Sequence, residues 1–185
     1  MGLGFRGNCE MKSLKNRVVV AMGSKSDLPV MKEAVTLLES WGVKVDTQII
    51  SAHRTPRLLE TSVQKWESKN VKVIIAGAGG AAHLPGMLAS FSHLPIIGVP
   101  ISTKSMNGLD SLLSISQMPK GIPVATVAVN GGFNAGLLAL QILGIHEKKI
   151  SGELIKYKRK LCNEVSGHRR KLQNLGINRF LKQKK

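Results

Sequence analysis

The sequence predicts an α/β protein: a doubly wound parallel sheet of about five strands, covered by helices on both faces. Two patterns carry that expectation. Short apolar runs rich in Val and Ile, each bounded by Gly, Pro or Ser, recur between Arg17 and Val129. Between them the apolar positions switch to helical spacing. Strands that alternate with helices pair in parallel, and a strand buried on both faces reads as a continuous apolar run.

The elements follow in order. RVVVAMG, starting at Arg17, is a β-branched run that ends in glycine. In the SKSDLP segment after it, Ser26 or Asp27 can cap a helix and Pro29 suits its first turn. Val30, Met31, Ala34, Val35, Leu38 and Trp41 recur at helical spacing until Gly42. VKVDTQII is the second strand, followed by the loop SAHRTP and a helix to about Lys69. VKVIIAGAGG is the third strand and a Gly-rich turn, with a helix over about 82–92. LPIIGVPI is the fourth strand, a helix covers about 109–117, IPVATVAV is the fifth strand, and a small-residue helix spans about 134–145. A long basic helix then runs over 147–175 with an apolar stripe of Ile150, Leu154, Tyr157 and Leu161. So narrow a stripe needs a surface to lean on, in its own domain or on a neighbouring subunit. The resulting division is a flexible extension over 1–16, a catalytic domain over 17–146, the helix over 147–175 and a disordered basic tail over 176–185.

Charge is uneven along the chain. The net charge is +16, of which residues 1–17 carry +3, residues 18–146 carry +3 and residues 147–185 carry +10. The excess therefore sits away from the distinctive loops and reads as a solvated basic segment in preference to a nucleic-acid or membrane surface. Only Tyr157 and Phe180 supply aromatics there, too few for base stacking. No uncharged apolar run approaches the roughly 18 residues of a membrane span. The start lacks the long apolar stretch of a secretory signal. Cys9 and Cys162 are the only cysteines, so neither a disulfide framework nor a clustered metal site is expected. A cytoplasmic protein without membrane or nucleic-acid partners is the expectation.

In a doubly wound sheet, ligands bind beyond the carboxyl ends of the strands. The first three strands end in loops that hold most of the unusual polar residues of the domain. After the first, Gly23 frees backbone N–H groups, Ser24 and Ser26 add hydroxyls, and a helix N-terminus follows; these are the parts of a phosphate cradle. Asp27 would repel a phosphate and suits a sugar diol, although Ser26 and Asp27 equally fit a role as helix caps. The second loop brings Ser51, His53 and Arg54. Arginine offers a planar fork of donors suited to phosphate, and histidine is the side chain that exchanges a proton near neutrality.

The third loop, Gly77-Ala78-Gly79-Gly80-Ala81-Ala82, matches a dinucleotide-binding fingerprint. That motif needs an acidic residue about 20 positions on. None occurs until Asp110, so the glycines are read instead as letting a planar ligand approach the backbone.

MGSKSD, SAHRTP and AGAGGAAHLPGM, in this order and spacing, resemble the N5-carboxyaminoimidazole ribonucleotide mutase family, the catalytic carboxylase subunit of purine biosynthesis. GVP at Gly98–Pro100, GLDSLLSISQMPKGIPVAT at Gly108–Thr126 and NAGLLALQIL at Asn134–Leu143 extend the likeness over about 17–146. The resemblance implies a three-layer flavodoxin-like fold, a homo-octamer, and chemistry that uses neither metal nor other cofactor. It implies His53 as general acid–base and Ser24, Asp27, Ser51 and Arg54 as holding the ribonucleotide through phosphate and ribose. Gly79, His83 and Leu84 would line the base and carboxylate pocket, with Gly23, Ser26 and Ala78 in support.

The form GAGGAAHLPG resembles the branch that isomerises the N5-carboxylated substrate, working after an ATP-dependent synthetase. The alternatives are direct carboxylation of aminoimidazole ribonucleotide with carbon dioxide, or a non-catalytic nucleotide- or nucleic-acid-binding module. Two features depart from the family pattern: the short loop Asn130-Gly131-Gly132-Phe133, in place of a GKAG-type loop, and the +10 segment beyond Glu147.

Overall fold

The computed structural model describes residues 14–182; residues 1–13, which hold most of the expected extension and Cys9, and residues 183–185 lie outside the described part. Among the described residues five strands form one parallel sheet: β1 (Leu14–Met22), β2 (Val43–Ile49), β3 (Val73–Gly79), β4 (Ile96–Ile101) and β5 (Ala125–Thr126). Their order is β2-β1-β3-β4-β5, the flavodoxin-like arrangement. The helices are α1 (Leu28–Ser40), α2 (Pro56–Ser68), α3 (Leu84–Phe91), α4 (Leu109–Ser116), α5 (Gly132–Gly144) and α6 (Lys148–Leu181).

Burial explains the order. Every residue of β4 and all but the last of β3 is buried, as expected of central strands covered on both faces. β2 lies at an edge and is half exposed. Val19, Ala21, Ile74 and Ala76 point to one face, where Leu59, Val63 and Trp66 of α2, Leu84 and Leu88 of α3 and Ile115 of α4 pack on them. Val18, Val20, Met22, Val73 and Ile75 alternate with these, are equally buried and face the other way. There Met31 of α1 lies so close over Gly77 that any side chain at that position would strike its sulfur. α5 approaches α1 in the same manner, with Gly132 against the backbone of Val30 and Gly136 against Ala34.

Three details differ from the sequence reading. The expected eight-residue fifth strand shrinks to Ala125–Thr126. Pro100 accounts for the early end of its ladder. The carbonyl of Pro100 accepts from the N–H of Asn130 at 2.8 Å, so that side of Pro100 faces the β5 segment, and proline has no N–H to return. Second, Asp27 stands at the head of α1, one of the two expected caps, but its carboxylate serves the preceding 3-10 turn over Lys25–Asp27, whose own cap is Ser24. Third, α6 resumes beyond Gly176, where a disordered tail was expected. Gly176 sits at φ 68° and ψ 164°, a conformation open only to glycine, and the helix continues to Leu181.

Between Ile142 and Leu143 the chain divides into two compact units. The first holds the sheet. In the second, Gly144 packs on Leu154 and Ile150 is buried, while Leu161, Val165 and Leu172 are exposed. No described helix is long and apolar enough to cross a membrane.

Candidate active site

The strand order reverses between the parallel neighbours β1 and β3, and a crevice opens there beyond the strands' carboxyl ends. A cleft of about 580 Å³ occupies it, lined by the loops after β1, β2, β3 and β4. Gly23, Ser24, Ser26, Asp27, Ser51, His53, Arg54, Ala78, Gly79, His83 and Leu84, all singled out in the sequence, line this one cleft. Three of the loops run into the N-terminal ends of α1, α2 and α3, so the positive ends of three helices lie at this edge of the sheet.

The first loop is built as a capping box. Ser24 accepts from the N–H of Ser26 at 3.3 Å, and the Asp27 carboxylate accepts from the N–H of Ser24 at 3.0 Å. Ser26 donates its hydroxyl to the other Asp27 oxygen at 3.1 Å. Asp27 is thus both a cap and a cleft residue, and the two roles left open by the sequence coexist. It is only 5% exposed. Burial pushes its carboxyl above the ordinary range, against the lowering effect of these hydrogen bonds.

A raised folded value gives a defined pH dependence. The contribution of Asp27 to stability is complete below the unfolded value, near pH 4, and is lost as pH rises through the folded one. Asp27→Asn keeps an acceptor for Ser24 and removes the ionisation. The Tm of the native chain relative to Asp27→Asn is therefore expected to fall as pH is raised upward from about 4. A difference that is flat with pH contradicts the assignment.

The second loop is stitched to the first. Arg54 donates through Nε to the Ser51 hydroxyl at 3.2 Å and through Nη2 to the carbonyl of Gly23 at 3.2 Å. The Ser51 hydroxyl also accepts the N–H of Arg54 at 3.2 Å. These contacts set the guanidinium over the junction of the first two loops and leave further N–H donors for a ligand. Thr55 fixes the loop from behind by hydrogen bonds to the N–H and carbonyl of Ser51, both at 3.0 Å.

His53 and His83 meet across the cleft. Nε2 of His53 lies 2.7 Å from Nδ1 of His83, with the ring planes at 78°. Such a separation holds a single hydrogen between two nitrogens, one donating and one accepting. Among the described residues no third His, Cys, Asp or Glu joins them in a group able to hold a metal.

Leu84 also lines the cleft, but its side chain is 2% exposed and belongs to the core. Its main chain, at the first turn of α3, is what a ligand could reach.

Ala52, Gly80, Ala81 and Ala82 of the same loops also line the cleft, and Ile101, Ser102 and Thr103, missed in the sequence, complete it. The rule that locates sites at strand ends applied to β4 as well, and ISTK after it was the available signal. The short loop at Asn130 supports this wall: the side-chain oxygen of Asn130, a residue at φ 57°, accepts the N–H of Ser102 at 2.9 Å.

A family model described as AIR carboxylase matches residues 17–164. The chain is 52% identical over 168 residues to the N5-carboxyaminoimidazole ribonucleotide mutase of Thermotoga maritima, covering 91% of this chain and 98% of that protein. To the mutase of Pyrococcus horikoshii it is 54% identical over 171 residues, covering 92% and 97%. The crystal structure of Treponema denticola PurE resembles it with a TM-score of 0.78 at 28% identity, over 84% of this chain and 97% of that one. The chain belongs to the AIR carboxylase family.

Proposed function

We infer that this chain is an N5-carboxyaminoimidazole ribonucleotide mutase of purine biosynthesis, and that the cleft at the β1/β3 crevice is its active site. The observation that carries the site is the meeting of the hydrogen-bonded His53 and His83 with the phosphate-suited loops of Ser24 and Arg54 in one cleft. Identity above 50% to mutases, over nearly their whole length, supports this branch against the direct carboxylase.

The reaction balances with one proton. As the N–C bond of the carbamate breaks and carbon dioxide departs, protonated His53 delivers its proton to the exocyclic nitrogen. The electron-rich C4 of the imidazole then attacks the retained carbon dioxide, forming the new C–C bond. The C4 proton returns to the now neutral His53, restoring the aromatic ring and the starting state of the enzyme. Holding carbon dioxide against the ring supplies a proximity effect in addition to the proton transfer.

Arg54 and Ser24 hold the 5′-phosphate, Asp27 and Ser51 support the ribose end, and the main chain at Gly79 and Leu84 faces the base. Arg54→Ala is expected to weaken binding of a ribonucleotide 5′-phosphate by roughly 10–100-fold. Titration calorimetry checks this, and unchanged affinity removes Arg54 from the phosphate site.

The working form is a cytoplasmic homo-octamer that takes its substrate from an ATP-dependent synthetase. The exposed apolar residues Leu161, Val165 and Leu172 of α6 support contact with another copy, and mass measurement of the native particle tests the octamer. The branch is tested by offering the purified chain two substrates. N5-carboxyaminoimidazole ribonucleotide should be converted without bicarbonate, whereas preferential use of aminoimidazole ribonucleotide at high bicarbonate would identify a direct carboxylase.

A further inference from the structure

The segment Gly108–Thr126 has no part in the chemistry above, yet α4 within it sends three polar side chains to the carboxyl edge of the sheet. Asp110 accepts the Thr103 hydroxyl at 3.0 Å. Ser111 donates to the carbonyl of Ile101 at 2.6 Å and accepts the N–H of Gly80 at 2.9 Å. Ser114 shares its hydroxyl proton between the carbonyls of Asp110, at 2.8 Å, and Gly80, at 3.3 Å. Both polar groups of Gly80 are therefore engaged by a helix that begins 29 residues later. Gly80 itself sits at φ 69° with open space where a Cβ would be, so glycine is there for its backbone conformation.

We propose that Ser111 is a positioning residue for the acid–base pair. It is fully buried and behind the cleft wall, so it does not touch a ligand. Its single hydroxyl joins the end of β4 to the turn that leads from β3 to His83. That turn sets where the His83 ring stands, and with it the 2.7 Å contact to His53. The position needs a group that donates and accepts at once; alanine would orphan the Ile101 carbonyl and the Gly80 N–H together. Among the described residues the phosphate loops are held by bonds to Asp27, Ser51 and Gly23, none of them on α4. The proposal rests on His53 being the acid–base residue.

Loss of Ser111 should therefore act on turnover and spare binding. Ser111→Ala, assayed well below its Tm, is expected to lower kcat roughly 10–100-fold. KM and the affinity for ribose 5-phosphate should stay within about threefold. The imidazole N–H resonance of the His53–His83 hydrogen bond, read by NMR on histidine-labelled protein, should be lost or broadened. Ser111→Thr keeps the hydroxyl and should recover most of the kcat.

A lowered Tm with native kcat in Ser111→Ala would overturn the proposal and leave a structural brace. If neither Ser111 variant folds, the partly exposed Ser114→Ala takes its place; a kcat about 2–10-fold down supports the mechanism, and native kcat overturns it. His53→Asn is run alongside. Turnover by that variant would overturn the site assignment itself, whereas native kcat in Ser111→Ala beside an inactive His53→Asn overturns the positioning role alone.

Discussion

His53→Asn is expected to reduce turnover by at least about 10²–10⁴-fold while leaving nucleotide binding within a few-fold of native. Asparagine can hold one hydrogen-bonding position of the ring, but it neither accepts nor delivers a proton near neutrality. Two transfers in the proposed cycle, to the exocyclic nitrogen and from C4, would then lack their carrier. Binding should survive because the phosphate contacts are arranged by Ser51 and Gly23 through Arg54. Steady-state kinetics with calorimetry separates the two effects. Near-native kcat in this variant would exclude His53 as the acid–base residue.

Gly132→Ala is expected to cost about 3 kcal/mol of stability, lowering Tm by roughly 6–12 °C. A Cβ at Gly132 would meet the carbonyl oxygen and carbonyl carbon of Val30, backbone atoms of α1 that no rotamer change can move aside. Either α5 shifts away from α1, opening the packing around the fully buried Ala135 and Ala139, or α1 is displaced at its first turn. Gly152→Ala is the control, since a Cβ there meets nothing within 4 Å. Thermal unfolding of both variants checks the prediction, and equal Tm values would show that the α1/α5 approach is looser than described. The short loop that departs from the family pattern thus has a local reason for its Gly-Gly pair: a Cβ at Gly131 would meet the carbonyl oxygen of Ala128 at 2.7 Å, and one at Gly132 would meet Val30.

The strands and most helices were legible because burial on both faces leaves a direct trace in the sequence. VIIA in β3 and IIGV in β4 are apolar without interruption. The cleft residues after β1, β2 and β3 were legible because Gly, Ser, His and Arg stand out at the end of such runs.

What escaped reading depends on neighbours distant in sequence. The shortness of β5 follows from Pro100, about 25 residues before it, and only the sheet order makes that proline its neighbour. Ser111 looked like any small residue on a helix, since its partner Gly80 is 31 positions away. Asp27 was read as a choice between cap and ligand, and the structure lets one carboxylate bond the Ser24 N–H and still line the cleft. The engagement of His53 by His83 had no signal at all in the spacing of the two loops.

The central claim is that one chain moves a carboxylate from nitrogen to carbon inside a closed cycle. It is tested most directly with N5-carboxyaminoimidazole ribonucleotide carrying ¹³C in its carbamate, incubated with the purified chain in unlabelled bicarbonate without ATP. The account predicts C4-carboxylated product that retains the label. Unlabelled product, or conversion that requires added bicarbonate, would mean that carbon dioxide enters from solution and that the chain is a direct carboxylase.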